Sequence, residues 1–134
     1  RLIDLSTNTT YGVPGFIQSA ALFALRQGEA LEEDTAAPFR RRRLLAQQVL
    51  KGANAVRLVP SGGAMYLMLD IRATGLSGQD FAHALLDQEK IAVMPGESFG
   101  SSAAGHLRVA MTIDDDRFVA ALKRLVDFAQ RNVK

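Results

Sequence analysis

The sequence predicts an α+β fold, within the broad α/β class, in which an antiparallel or mixed sheet of about four strands is covered by helices on one side. Three observations support this prediction. Apolar residues recur at helical spacing in the first part of the chain, and after Gly52 the predicted order becomes strand, strand, helix, strand, strand, helix. The chain has 134 residues, of which 48% are hydrophobic and 22% are charged, a composition typical of a globular protein with a core.

The part of the chain before Gly52 predicts two helices. Residues 1–12 are polar and rich in turn-forming side chains, so no regular element is predicted there. A helix is expected over residues 14–26, because proline is tolerated in a first helical turn and apolar residues then follow helical spacing. A second helix is expected to begin near Asp34, Thr35 or Pro38 and to run to residue 51, with glycine as its stop.

The next elements are a strand pair and a helix. Residues 55–59 and 64–71 predict two strands, joined across a Pro-Ser-Gly-Gly turn. Ser77 is predicted to cap a helix, with Asp80 three residues later, and an apolar stripe carries that helix to about Gln88.

The last elements repeat this order. Short strands are predicted at Ile91–Met94 and at His106–Met111. Thr112 or Asp114 is expected to cap a final helix, whose apolar face comprises Phe118, Leu122, Leu125, Val126 and Ala129.

Composition disfavours several classes of protein. A net charge of +2 gives little reason to expect nucleic acid as a partner, and the four arginines of Arg40–Arg43 would spread around a helix at 100° steps. The chain has no cysteine and two isolated histidines, His83 and His106, so no metal site is predicted. No apolar run is long enough to span a membrane and no signal peptide is recognisable, so a cytoplasmic location is expected.

One arginine stands out as a candidate binding residue. In a strand over residues 106–111, alternate apolar side chains face the core, so Arg108 and His106 point to the other side. A glycine-rich loop, Pro95–Gly100, precedes this strand. Because the planar guanidinium matches two oxygens, an arginine fixed beside such a loop is a natural carboxylate receptor.

The same region resembles a known family. Val93–Gly100, followed by Leu107–Val109, is similar to the C-terminal part of class I/II aminotransferases, which are pyridoxal 5'-phosphate (PLP) enzymes of the aspartate aminotransferase fold. Three other stretches agree with the resemblance and follow the family's order along the chain: Tyr11–Ala21, Phe39–Arg43 and Gly63–Asp70.

The resemblance implies a domain organisation. Residues 34–134 would form the small C-terminal domain, and residues 1–33 would be the end of the large domain with its linker helix. One or two helices would thus lead to a large PLP domain that this chain lacks. The chain begins with Arg1 and not with methionine, which also suggests a fragment. The parent is expected to be a homodimer.

The resemblance also implies roles for individual residues. Arg108 would bind the α-carboxylate of amino-acid and 2-oxo-acid substrates, while Ser98, Phe99 and Gly100 would line the mouth of the site. Tyr11 would lie near a subunit interface and could reach the partner's cofactor. That role is in doubt, because Tyr-Gly-Val stands where many relatives have Ser-Asn-Pro.

The family's Schiff-base lysine is not recognisable. The family places that lysine in a Ser-x-x-Lys context, and none of the four lysines has this context: Lys51, Lys90, Lys123 and Lys134. The chain alone is therefore expected to contain no catalytic residue, to bind PLP weakly or not at all, and to be inactive.

Other readings stay open at this point. The order of elements also suits a non-catalytic, ferredoxin-like module in which Arg108 binds a regulatory amino acid. An RNA-binding module using Arg40–Arg43 ranks last, because the aromatic stacking positions expected on such a sheet are missing. Within the family, the amino donor is undetermined, and lyase or decarboxylase chemistry on the same fold is also open.

Overall fold

The structure, a computed structural model, describes residues 1–9 and 12–133. The chain divides into two units, residues 1–37 and residues 38–134, each of which is described by itself. Helix α3 contributes to both units, since it spans Glu29–Leu50.

The first unit is helical. It contains α1 (Leu2–Thr9), α2 (Gly15–Gln27) and the beginning of α3. Neither α1 nor α2 buries any residue within the described chain, and α2 exposes the large apolar side chains of Phe16, Leu22, Phe23 and Leu25. The prediction of a helix at residues 14–26 is confirmed.

Two expectations for this part of the chain are wrong. Residues 2–9 form a helix, because polar side chains that resemble turn formers bond within it: Asn8 donates to the carbonyl of Asp4 at 2.7 Å. Helix α3 begins at Glu29 and not between residues 34 and 38, directly after Gly28, whose φ is 61°. Acidic residues in its first turn suit the helix dipole, and Pro38 is accommodated inside the helix.

The second unit contains a four-stranded sheet in the order β1-β2-β4-β3, and every neighbouring pair is antiparallel. The strands are β1 (Arg57–Leu58), β2 (Tyr66–Asp70), β3 (Met94–Pro95) and β4 (His106–Ala110). Helix α4 (Gly78–Glu89) lies between β2 and β3 in the chain, and α5 (Asp115–Arg131) follows β4. The predicted α+β class and the four-stranded sheet are confirmed.

The core lies between one face of the sheet and the helices. Leu67 and Leu69 of β2 and Leu107 of β4 are fully buried there. They belong to one cluster with apolar residues of α4 and α5, in which the rings of Phe81 and Phe128 meet edge to face at 5.0 Å. This packing fixes which side chains of the sheet point away from the core.

The strands are shorter than the sequence predicts. Residues 91–93 precede β3 and do not pair with another strand. Ile91 and Val93 instead pack against the core from this irregular segment. Ala55 and Val56 are likewise buried outside β1. The alternating apolar residues of these segments therefore contact the core, but the segments are not strands of the sheet.

The predicted caps of α4 and α5 are confirmed. The hydroxyl of Ser77 accepts from the backbone N–H of Asp80 at 3.0 Å and donates to that residue's carboxylate at 2.7 Å. For α5 the structure decides between the two candidates, because Asp114 and not Thr112 accepts from the N–H of Arg117, at 2.9 Å.

Candidate functional site

The open face of the sheet carries the candidate site. In the ladder between β2 and β4, Met68 pairs with Arg108 and Asp70 pairs with His106. Because side chains alternate along a strand, these four share the face opposite the buried Leu67, Leu69 and Leu107. Arg108 and His106 therefore point away from the core, as the sequence predicts.

The guanidinium of Arg108 contacts two aromatic rings. Its central carbon is 4.3 Å from the ring centroid of Tyr66 and 4.4 Å from that of Phe99. Tyr66 lies on β2, and Phe99 belongs to the segment that joins β3 to β4. Contacts of this kind contribute about 0.5–1 kcal/mol at exposed sites and more when desolvated. They also restrict the rotation of a half-buried side chain.

Arg108 has no acceptor from the protein itself within residues 1–9 and 12–133. Other arginines of the second unit are bonded: Arg42 to Asp115 at 2.8 Å, and Arg72 to Asp70 at 2.7 Å. Since no described group of the protein accepts from the Arg108 guanidinium, its N–H groups remain available to a ligand. The arrangement suits an anion that approaches in the plane of the fork.

Residues 95–105, which begin with the glycine-rich loop Pro95–Gly100, have regular local structure. Residues 96–99 and 101–103 form two short 3-10 helices. The carboxylate of Glu97 accepts from the backbone N–H of Gly78 at 2.9 Å and from that of Gly105 at 3.0 Å. Together with a backbone N–H of its own residue, these bonds lower the pKa of Glu97, with Gly105 the largest contributor.

Two glycines make this close packing possible. A Cβ on Gly96 would lie 2.0 Å from the carbonyl oxygen of Ala103, and one on Gly78 would lie 2.7 Å from the carbonyl oxygen of His106. Both positions therefore exclude any other side chain unless the backbone shifts.

The predicted site residues are only partly brought together. Phe99 contacts Arg108, whereas Ser98 is exposed on the same turn and its hydroxyl makes no hydrogen bond within the described chain. Gly100 ends the turn with a φ of 109°, a conformation that favours glycine. Tyr11 lies outside the described residues.

Sequence reasoning did not identify Tyr66 or Glu97 as part of this site. Tyr66 is diagonal to Arg108 across the ladder, so its contact depends on a strand register that no local pattern reveals. Glu97 does lie in the motif that carries the family resemblance, but its partners are 8 and 19 residues away. Both residues belong to recognised stretches, which is the signal that could have singled them out.

The two histidines lie in different places. His106 is on the Arg108 face, and its Nδ1 is 2.8 Å from the carbonyl oxygen of Ala104. His83 is on α4, where its Nε2 is 2.9 Å from the side-chain nitrogen of Gln79. Within residues 1–9 and 12–133, no three histidine or acidic side chains group as metal ligands would.

An ionic cluster borders the site along the sheet. Asp70 is buried, accepts two bonds from the guanidinium of Arg72 at 2.9 and 2.7 Å, and accepts a third from Arg57 at 2.7 Å. The bond from Arg72 is the main reason why the pKa of Asp70 lies far below its ordinary value. A cavity of about 430 Å³ adjoins the cluster. Because its carboxylate is satisfied by these arginines, Asp70 acts as a structural anchor.

The arginines of the run Arg40–Arg43 have partners in the protein. Arg41 and Arg42 both pair with Asp115 at the first turn of α5, and Arg42 also donates to the carbonyl of Met111 at 2.9 Å. Arg43 donates to the carbonyl of Ser61 at 3.4 Å. Within the second unit these bonds therefore connect the C-terminal part of α3 to other segments, which leaves little support for an RNA-binding surface.

The lysines that the structure describes lie at helix ends or on a helix. Lys51 follows the end of α3, Lys123 is exposed on α5, and Lys90 caps α4 with its amine bonded to the carbonyl of Asp87 at 2.7 Å. None of these three lies in a strand of the sheet, and Lys134 lies outside the described residues. No described helix has the length and apolar character needed to cross a membrane.

Comparison with known proteins agrees with the fold and the motif. The family "Aminotransferase class I and II" matches residues 1–125. The arginine–pyruvate transaminase of Pseudomonas aeruginosa is 40% identical over 125 residues, which is 93% of this chain and 32% of that protein. A putative aminotransferase of Bacillus subtilis is 36% identical over 88% of this chain and 30% of its own length.

Solved structures give the same result. An aromatic aminotransferase from Pyrococcus horikoshii aligns with a TM-score of 0.80 at 28% identity, covering 96% of this chain and 35% of that one. An aminotransferase from Staphylococcus aureus aligns with a TM-score of 0.81 at 27% identity, covering 98% and 34%. The chain spans about a third of the length of the curated relatives it matches. On these matches, the chain belongs to the class I and II aminotransferase family.

Proposed function

We propose that this chain is the C-terminal part of a PLP-dependent aminotransferase, and that Arg108 binds the α-carboxylate of the amino-acid and 2-oxo-acid substrates. One observation carries the proposal: the guanidinium contacts the rings of Tyr66 and Phe99, and no described group of the protein accepts from it. A charged group kept without a protein partner on the open face of a sheet is arranged for an external anion.

The geometry explains how the site would orient its ligand. The N–H donors of a guanidinium lie in one plane, and their spacing matches that of two carboxylate oxygens. A bidentate contact fixes the plane of the carboxylate and so limits rotation of the substrate about its Cα–C bond. Restricting the reacting group in this way reduces the entropic part of a reaction barrier.

The remaining machinery is assigned to the rest of the parent enzyme. In this proposal residues 34–134 are the small domain, residues 1–33 are the end of the large domain, and the lysine and phosphate-binding groups lie elsewhere in a cytoplasmic homodimer. PLP, when bound, supplies the electron sink that stabilises negative charge at the substrate Cα. This chain contributes binding and orientation, and by itself it is expected to be inactive.

The choice of substrates is guided by the relatives. Because one relative at 40% identity is an arginine–pyruvate transaminase, L-arginine with pyruvate is the first pair to test in the parent enzyme. L-Aspartate and an aromatic donor follow, since other relatives or structural neighbours carry those names.

The test is a set of arginine variants in the full-length parent. Arg108→Ala is expected to lower kcat/KM by about 10- to 150-fold, and Arg108→Lys is expected to lower it as well because the fork is lost. Arg117→Ala is the matched control, since that arginine is exposed and lies on α5. Near-normal kcat/KM in both Arg108 variants would contradict the assignment.

The same experiment addresses the non-catalytic alternative. If the parent turns over no donor but calorimetry shows an amino acid binding in a way that requires Arg108, the amino-acid-binding module is the better description. Turnover that depends on Arg108 supports the aminotransferase.

A further inference from the structure

We propose that Glu97 is a positioning residue for the Arg108 site: its carboxylate fastens the loop of residues 96–105, so that Phe99 stays stacked on the guanidinium. The inference rests on the proposed carboxylate-binding role of Arg108 for its functional meaning. Its structural content, a link between Glu97 and the Phe99–Arg108 contact, can be tested without any substrate.

A single oxygen of Glu97 joins three segments of the chain. Its Oε1 accepts from the N–H of Gly78 at 2.9 Å and from the N–H of Gly105 at 3.0 Å. Gly78 is the first residue of α4, and Gly105 directly precedes β4. The carboxylate therefore ties the turn that contains Phe99 both to a helix and to the strand that carries Arg108.

Both attachment points are themselves fixed. The N-terminus of α4 is capped by Ser77, and Gly78 is buried. The carbonyl of Gly105 accepts from the backbone N–H of Ile71 at 3.0 Å, so the peptide groups on both sides of this glycine are bonded. A loop held at such points moves less than one held by its own ends alone.

Phe99 depends on the loop for its position. Its side chain is 47% exposed and is not part of the core cluster, so burial does not hold it on Arg108. The turn is instead defined by the Glu97 bonds, by the bond from the N–H of Gly100 to the carbonyl of Glu97 at 3.2 Å, and by the close approach of Gly96 to Ala103.

The charge of Glu97 contributes to the fastening. An ionised carboxylate accepts from N–H groups more strongly than a neutral amide, and the positive end of α4 favours the negative charge. These bonds lower the pKa of Glu97, so the fastening is expected to persist below the ordinary titration range of a glutamate.

The first experiment is nuclear magnetic resonance on the 134-residue chain. The Nε–Hε signal of Arg108 reports ring currents from Tyr66 and Phe99, and Phe99→Leu gives the reference position without the second ring. Glu97→Ala is expected to move the Arg108 signal in the direction of the Phe99→Leu signal, and Glu97→Gln is expected to lie between wild type and Glu97→Ala.

Glu89→Gln is the matched control. Glu89 is also a carboxylate with a lowered pKa, caused by Arg131 and Arg124, but it lies at the other end of α4, about 16 Å along the helix axis. The Arg108 signal should be unchanged in this variant. If Glu97→Ala and Glu97→Gln both leave the signal at its wild-type position while backbone signals of β2 and α5 are retained, the proposal is overturned.

A kinetic experiment in the full-length parent, with L-arginine and pyruvate as probes, separates this inference from the proposed function. Glu97→Ala is expected to raise the KM of pyruvate by about three- to tenfold with a smaller change in kcat. If Arg108→Ala leaves KM and kcat unchanged, the carboxylate-binding role fails, while the resonance shifts still decide whether Glu97 positions Phe99.

Discussion

Arg108 of β4 pairs with Met68 of β2 in the ladder. The central carbon of its guanidinium nevertheless lies 4.3 Å from the ring centroid of Tyr66, which is two residues before Met68 on β2. Tyr66 thus contacts the proposed receptor from within the sheet, while Phe99 contacts it from a loop.

The first prediction concerns the contact between Tyr66 and Arg108. Tyr66→Leu is expected to raise the KM of the 2-oxo acid about two- to fivefold in the parent enzyme, because a cation–π contact contributes about 0.5–1 kcal/mol. Tyr66→Phe is the control, since it keeps the ring and should behave as wild type. An equal loss in both variants would mean that the hydroxyl and not the ring is important.

A second prediction concerns the anchor beside the site. Asp70→Asn is expected to lower the free energy of unfolding by about 1.5–3 kcal/mol at pH 7, since the buried carboxylate accepts charged bonds from Arg72 and Arg57. Urea unfolding measures this, with the exposed Asp127→Asn as control. A loss no larger than that of the control would refute the anchor role.

The same residue predicts a pH dependence. Because the folded-state pKa of Asp70 is depressed, its contribution is fully present above the unfolded value of about 4 and is lost as the pH falls toward the folded value. Wild type should therefore lose more stability than Asp70→Asn when the pH falls from about 5 to about 2.5. Parallel stability curves for the two proteins would contradict this.

A third prediction tests the close approach under the loop. Gly96→Ala is expected to destabilise the chain by about 1–3 kcal/mol, because the added Cβ meets the carbonyl of Ala103 and the backbone must shift. Gly62→Ala is the control, since open space surrounds that glycine and its φ is not positive. Thermal unfolding of the two variants gives the comparison. Similar melting temperatures would show that the loop accommodates the added Cβ without loss of stability.

The fourth prediction contrasts two phenylalanines. Phe128 is buried and meets Phe81 edge to face, so Phe128→Ala should cost about 3–5 kcal/mol of unfolding free energy. Phe23 on α2 is 66% exposed in this chain, and its replacement by alanine should change stability by less than about 0.5 kcal/mol. Denaturant titration followed by circular dichroism distinguishes the two expected results.

Elements defined by local patterns were predicted well from the sequence. Helix α5 has a strong apolar period and an aspartate cap, and α4 has a serine cap with an acidic residue three positions later. Both signals act over a few residues, which is why they are visible without a structure.

Other elements were predicted less well, for different reasons. Helix α1 was missed because its asparagine and threonine bond along the helix instead of forming turns. The length of β3 was overestimated because apolar residues can contact the core without joining a ladder. Pro38 was read as a place where a helix begins, although it lies inside α3.

The candidate site shows the same division. Arg108 and Phe99 stand out in the sequence through strand alternation and the family motif. Tyr66 requires the register between β2 and β4, and Glu97 requires the folding of its loop onto α4 and β4. Neither relationship is encoded in the spacing of nearby residues.

The outer strands of the sheet have a consequence for association. β1 and β3 lie at the two edges and contain two residues each, and β3 includes Pro95, which has no N–H to donate. A strand from another molecule could form few backbone hydrogen bonds at either edge, so the sheet is protected against edge-to-edge aggregation. Self-association of the isolated chain should therefore involve the apolar side chains of α2, and detergent or a polar substitution on that helix should suppress it.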